Sequence, residues 1–224
     1  MEKVLIVSGG SRGIGAATAL SAGQQGYAVC VNYLRNQAAA QRVVGEIEAE
    51  GGHAIAVAAD VTSEDQVNAL FQTVDQQLGP VTAMVNNSGR KEQQLRVEHI
   101  SAARLHRILS ANVIGSFLCA REAIKRMSTE KGGTGGAIVN VSSAASRLGS
   151  PGEYVDYAAS KGAMDTMTIG LSKEVASEGI RVNAVRPGFI YTDIHADGGE
   201  PNRVERIKDL IPMKRGGEAN EVAN

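Results

Sequence analysis

Ser8-Gly9-Gly10-Ser11-Arg12-Gly13-Ile14-Gly15 follows an apolar run at 4–7 and leads into Ala16-Ala17-Thr18-Ala19-Leu20, which reads as a helix. Glycines at 9, 13 and 15 permit a sharp strand-to-helix turn, and the first amides of the helix then face outward as donors for a pyrophosphate. The spacing is GxxxGxG, which differs from the GxGxxG dinucleotide fingerprint but shares its physics. Two rival motifs overlap it. Gly9-Gly10-Ser11-Arg12-Gly13 fits the GxSxG nucleophile elbow, yet an elbow at Ser11 leaves no earlier strands to supply an oxyanion-hole loop. A P-loop needs Lys at the helix start, where Ala16 stands.

Working outward, short apolar runs recur at 28–33, 54–58, 81–86, 137–141 and 180–185. Between them lie segments of helical period, such as Val43 with Ile47, or Val67, Leu70, Phe71, Val74 and Leu78. Thr62 and Ser63 before Glu64 and Asp65 mark a helix start, Gly26 and Gly51 mark helix ends, and Gly79-Pro80 punctuates the entry to a strand. Strands joined by crossover helices run parallel and are covered on both faces, which explains why these runs are near-continuously apolar and do not alternate. The expected fold is α/β: one domain over 1–224, a doubly wound, Rossmann-like parallel sheet with helices on both faces. The glycine-rich stretch 131–136 reads as a mobile surface turn. The irregular segment 188–217 follows the sixth strand at the ligand-facing edge of such a sheet and is expected to form a substrate lid.

The chain has 224 residues, with 23 Lys and Arg against 24 Asp and Glu. A net charge of -1 leaves no basic excess for nucleic acid or an anionic membrane surface. The uncharged, apolar-leaning run 108–120 contains Ser110, Asn112 and Ser116 and falls short of the roughly 20 apolar residues that cross a bilayer. Only 4–7 is apolar before Ser8, too little for a signal-peptide core, so a cytoplasmic location is expected. Cys30 and Cys119 stand in apolar contexts without a metal-binding pattern, as buried reduced thiols would. No metal is expected.

An acidic residue at the end of the second strand would bind a ribose 2'-hydroxyl and repel a 2'-phosphate. Here stand Asn32 and Tyr33, while Arg12, with Arg35 as a second candidate, offers a guanidinium fork. NADP(H) is expected, with NAD(H) less favoured. Tyr157-Ala158-Ala159-Ser160-Lys161 lies in a helix expected over 155–177, and residues four apart share a helix face. A neighbouring ammonium lowers a phenol from its usual pKa of about 10 toward the range of a working acid or base. The other tyrosines, Tyr27, Tyr33, Tyr154 and Tyr191, are followed at the same spacing by Val31, Gln37, Ala158 and His195. Only Tyr157 has the lysine.

Ser8-Gly9 through Gly15, Asn86-Asn87-Ser88-Gly89, Asn112, Ser142-Ser143, Tyr157 with Lys161, and Pro187-Gly188 occur in an order and spacing that resembles the short-chain dehydrogenase/reductase family. The likeness covers the whole chain, and 142–161 resembles the NADP-type branch of sugar dehydrogenases and oxoacyl reductases. It implies hydride transfer between a nicotinamide and a small carbonyl or alcohol substrate, with Tyr157 exchanging the proton and Lys161 supporting it and holding the nicotinamide ribose. It also implies Ser143 or Ser142 on the reacting carbonyl, and Asn112 bending its helix and holding a water. The cofactor would rest on Gly9, Ser11, Arg12, Gly13, Ile14 and Gly15. Asn32, Asp60 and Val61 would contact its adenosine half, Asn86, Ser88 and Gly89 its middle, and Pro187, Gly188, Ile190 and Thr192 the nicotinamide. Arg90-Lys91-Glu92 replaces the family's usual apolar residue beside the substrate, which suits either a polar or anionic substrate or a solvated loop. The resemblance further implies a helix and a seventh strand beyond Asn224, and a homodimer or homotetramer built on helices over 101–127 and 155–177. A sensor that binds NADP(H) without turnover would keep the glycine loop but have no use for Asn112, Ser143, Tyr157 and Lys161 together.

Overall fold

The computed structural model describes residues 3–224. Its elements run β1 (Lys3–Val7), α1 (Gly13–Gln24), β2 (Tyr27–Tyr33), α2 (Gln37–Ala49), β3 (His53–Ala58), α3 (Glu64–Gln77), β4 (Ala83–Asn86), α4 (Ala102–Leu109), α5 (Gly115–Met127), β5 (Gly136–Val141), α6 (Ala145–Leu148), α7 (Val155–Glu174), β6 (Ile180–Val185), α8 (Ile194–Asp197), α9 (Arg203–Ile207) and α10 (Ala219–Ala223). The six strands are all parallel, in the order β3-β2-β1-β4-β5-β6. This is the doubly wound sheet expected from the apolar runs.

Successive side chains of a strand point to opposite faces, and both faces are covered at the inner strands, whereas the edge strand β6 alternates between buried and exposed residues, so the expected covering on both faces does not extend to it. Val4 and Ile6 of β1 join Val67, Leu70, Phe71 and Val74 of α3 and Met127 of α5 in one core, whereas Leu5 and Val7 join Ala19 and Ala22 of α1 and Val43, Val44 and Ile47 of α2 in the other. α7 contributes Met167 to the first core. Cys30 and Cys119 are buried and free, and burial pushes both thiols upward, Cys119 to about 12. No helix among the described residues is long and apolar enough to cross a membrane.

Three local features depart from the sequence expectation. β4 starts at Ala83 rather than at residue 81, because the Thr82 hydroxyl accepts from the Val4 N–H (3.0 Å) and so replaces a ladder partner. The helix expected over 155–177 ends at Glu174, and a 3₁₀ turn, Ala176–Glu178, closes it at Gly179 with φ 75°. The stretch 131–136 is closely packed rather than a loose turn. Gly133 and Gly135 donate to the Ser128 and Met127 carbonyls at 2.8 and 2.7 Å. A β-carbon on Gly133 would stand 2.3 Å from the Arg126 carbonyl oxygen, so glycine is needed there for close approach.

Between α4 and α5 the chain makes a π turn, Ser110–Ile114. The rod expected over 101–127 therefore exists, but with one wide turn centred on Asn112, of the kind found at functional sites.

Candidate active site

In a doubly wound sheet the crevice opens at the carboxyl ends of the strands where their order reverses, here between β1 and β4. A cleft of about 1450 Å³ lies there. That exceeds the roughly 300–1,000 Å³ of a pocket for one small ligand and leaves room for a cofactor beside a substrate.

One end of the cleft is the glycine turn. Gly9 and Gly13 have φ of 62° and 55°, conformations open to glycine. The chain enters α1 at Arg12 without a side-chain cap, and no acidic residue stands in the first turn. The amides at this helix start are therefore free for an anion and suit a pyrophosphate. A β-carbon on Gly15 would lie 2.3 Å from the Gly9 carbonyl oxygen and 2.4 Å from Asn87 Nδ2. Gly15 thus keeps the turn tight and does not itself line the cleft.

Of the other residues expected to hold the cofactor, Ser11, Ile14, Asp60, Val61, Ser88, Gly89, Pro187, Gly188, Ile190 and Thr192 line the cleft. Asn32 also borders it but is almost wholly buried, its Nδ2 donating to the Val57 and Ala59 carbonyls while Oδ1 accepts from the Gly9 N–H. It ties the glycine turn to β2 and β3. Asn86 turns into the interior, donating to Asn140 Oδ1 (2.9 Å) and the Ser116 carbonyl, and Asn87, overlooked in the sequence, lines the cleft in its place. An asparagine pair gives no sequence signal for which member faces outward. Arg12 donates to Asp197 at 2.5 Å and so bridges the glycine turn to α8. Arg35 and Arg42 line the cleft without an ion pair among the described residues, and Arg42 is a second residue the sequence reading missed.

The central wall holds Tyr157 and Lys161, one helical turn apart on α7. The Lys161 ammonium lies 5.7 Å from the Tyr157 ring centre and donates to the Val141 carbonyl at 2.7 Å. Burial lowers Lys161 to about 8, with Asp165 acting the other way. The expected fall in the Tyr157 pKa is not found. Burial pushes the phenol upward, opposed by a hydrogen bond with the Ser143 hydroxyl. Desolvation of the charged form dominates, and the Lys161 ammonium is directed at a backbone carbonyl. Ser142 is buried and donates to the Lys161 carbonyl, so Ser143 is the serine that meets Tyr157.

Asn112 is fully buried and does not line the cleft. Its Oδ1 accepts from the Arg90 N–H at 2.6 Å, and its Nδ2 donates to the Arg90 carbonyl and to Ser160 Oγ at 3.0 and 2.9 Å. The π turn thereby clamps the start of the 90–92 segment to α7. That charged triplet divides. Arg90 and Arg107 both hold Glu92, which the Arg107 hydrogen bond above all keeps down at about 2, whereas Lys91 turns inward.

The irregular segment after β6 arches over this wall. Its base is closed by bonds from Tyr191 N–H to the Gly217 carbonyl and from Gly217 N–H to the Phe189 carbonyl, both 2.9 Å. Between these points α8 and α9 form a roof, fastened by Arg203 to Glu153 and by the Tyr154 hydroxyl to the Gly198 carbonyl.

A parallel sheet with this order, a glycine turn at its switch point and a Ser-Tyr-Lys wall define a nucleotide-dependent oxidoreductase of the Rossmann class. The sequence profile of the short chain dehydrogenases matches residues 3–202, and the chain belongs to that family of enzymes. It is 61% identical over 220 residues to the uncharacterized oxidoreductase YgfF of Escherichia coli, covering 98% of this chain and 89% of that protein. It is 39% identical to a 3-oxoacyl-[acyl-carrier-protein] reductase of Synechocystis, covering 99% and 86%. A crystal structure of a dehydrogenase/reductase from Sinorhizobium meliloti superposes with a TM-score of 0.90 at 30% identity, covering 99% of this chain and 84% of that one.

Asn112→Ala would remove the partner of the Arg90 N–H and carbonyl at a part-buried position and leave the buried Ser160 hydroxyl without it. A loss of about 2–4 kcal/mol is expected in urea unfolding, and a loss below about 1 kcal/mol would show that the clamp is dispensable.

Proposed function

We propose that the protein is an NADP(H)-dependent carbonyl reductase or alcohol dehydrogenase in which Tyr157 exchanges the substrate proton. The observation that carries this reading is the Ser143–Tyr157 hydroxyl pair, with Lys161 on the same helix face, in one cleft with an uncapped glycine-rich helix start. When bound, the nicotinamide supplies or accepts the hydride. A phenol whose pKa is raised by burial stays protonated at neutral pH and is ready to donate to the carbonyl oxygen. Ser143 orients that oxygen against the phenol. Lys161, still mostly charged at neutral pH, offsets the negative charge that develops on Tyr157 as its proton leaves. Asn112 positions the wall and does not touch the reacting atoms.

On this reading Gly9, Ser11, Gly13 and Ile14 receive the pyrophosphate, Asp60 and Val61 the adenine, Ser88 and Gly89 the middle of the cofactor, and Pro187, Gly188, Ile190 and Thr192 the nicotinamide. Arg12 is committed to Asp197, so the 2'-phosphate falls to Arg35 and Arg42, which have no acidic neighbour at the end of β2. The roof is the substrate lid. A cytoplasmic location belongs to this reading, and the near-neutral charge suits it. Leu105, Leu109, Ile114, Phe117 and Ile169 are exposed along α4, the π turn, α5 and α7, an apolar surface suited to a homodimer or homotetramer.

Tyr157→Phe is expected to lower kcat about 10²–10⁴-fold on any accepted carbonyl while NADPH affinity changes only a few fold. Undiminished turnover would end the assignment. The double change Arg35→Ala, Arg42→Ala should weaken NADPH by roughly tenfold or more and leave NADH nearly unaffected, as read by fluorescence titration. Equal losses for both would refute the 2'-phosphate site. Light scattering should give a multiple of 23.4 kDa, and a monomer at high concentration would remove the interface proposal.

A further inference from the structure

Beneath the roof lies a lysine that proton exchange with a carbonyl does not require. Lys91 is 7% exposed and lines the same cleft as Tyr157. Its ammonium sits 4.5 Å from the Tyr154 ring centre and 3.4 Å from His195 Nδ1. His195 Nε2 lies 3.0 Å from the Ile190 carbonyl, which fixes the proton on Nε2 and leaves Nδ1 as an acceptor. Burial, Lys91 and Arg203 all keep this imidazole neutral. One of the three lysine protons is thus used, and the ring face takes part of the charge.

The neighbouring charges are already matched. Arg104 is held by Asp156, Arg203 by Glu153 and Glu200, and Asp197 is bonded to Arg12. Lys91 makes no ion pair among the described residues. Burial without a carboxylate partner, reinforced by Arg203, draws its pKa down to about 8. The end of α8 packs closely over the side chain: a β-carbon on Gly198 would fall 2.5 Å from Lys91 Cε and 3.0 Å from the Tyr154 hydroxyl, so a larger residue there would displace the lysine.

We propose that Lys91 is the anchor for a carboxylate carried by the substrate, so that the physiological substrate is an oxo acid or the corresponding hydroxy acid. The inference rests on the reductase reading above and specifies its substrate class. A single buried cation with two uncommitted protons matches the one charge and two oxygens of a carboxylate. A phosphate dianion would call for further donors, and both nearby guanidiniums are spent on carboxylates. The roof then reads the acid group while Tyr157 and Ser143 serve the carbonyl.

The test uses 2-oxobutanoate, 3-oxobutanoate and 4-oxopentanoate, each paired with its methyl ester, and dihydroxyacetone phosphate as the phosphorylated comparison. Oxidation of NADPH and of NADH is followed for the wild type, Lys91→Met and Lys91→Arg, and calorimetry reads binding of the same acids. At least one acid should exceed its ester in kcat/KM by tenfold or more. Lys91→Met should reduce that acid-to-ester ratio at least tenfold, mainly through KM, and Lys91→Arg should restore part of it. Because the ratio is taken within one variant, a general loss of folding does not mimic the effect. Equal use of acids and esters by the wild type, a ratio unchanged in Lys91→Met, or preference for the phosphorylated ketone would overturn the proposal. If no carbonyl compound of either charge is turned over with either cofactor, the reductase reading has failed on its own. The anchor is then judged by calorimetry: acid binding that Lys91→Met abolishes supports it, and absent or unchanged binding rejects it.

Discussion

The Ser8 and Asn87 side chains join the carboxyl ends of β1 and β4 where the strand order reverses, and the active-site cleft depends on that joint. Ser8 Oγ accepts from the Asn87 and Ser88 N–H groups, each at 3.0 Å, while Asn87 Nδ2 donates to the Ser8 and Gly9 carbonyls, also at 3.0 Å. Two strands that must part to admit a ligand lose ladder partners at their ends, and these side chains supply replacements. Gly15 is part of the same constraint, since its missing side chain lets Asn87 reach across the turn. The glycine loop therefore has its shape before any ligand arrives, which reduces the ordering that binding must bring about.

A second polar chain carries that alignment to the catalytic wall. Asn86 donates to Asn140, Asn140 Nδ2 donates to Thr168 Oγ1 at 2.8 Å, and Thr168 lies on α7 two turns beyond Lys161. The Arg104–Asp156 pair, buried between α4 and the start of α7, fixes the other part of the helix against its neighbour. Such buried groups are costly unless satisfied, so they specify one docking of α7 where apolar packing alone would tolerate sliding.

The fold was legible because the inner strands β1, β2 and β4 are almost wholly buried and helices such as α2 and α3 carry an apolar face, whereas β6, at the edge, alternates between buried and exposed residues. The motif residues Gly9, Gly13, Ser143, Tyr157 and Lys161 were legible for a similar reason, since each role depends on residue type and local spacing. What escaped the sequence depends on long-range geometry. Asn86 and Asn87 differ only in which way a strand end turns, and Arg12 is drawn to Asp197, which lies far along the chain. The Tyr157 pKa could not be read from its neighbour four residues on, because burial and the Val141 carbonyl that engages Lys161 are properties of the assembled wall. The triplet Arg90-Lys91-Glu92 suits either a polar or anionic substrate or a solvated loop, and only the fold separates Lys91 from Arg90 and Glu92.

The roof is a detour whose entrance and exit are stitched together at Phe189, Tyr191 and Gly217. It contributes Val204 and Ile207 to local burial but no residue to either of the two cores flanking the sheet. Inheritance can therefore act on it almost independently of folding. A lineage can lengthen it, shorten it or exchange its charges while the sheet, the glycine turn and α7 pass on unchanged. Diversification of substrate choice in such a scaffold needs no passage through poorly folded ancestors, because the variable part supplies no residue to the cores that hold the stable part together.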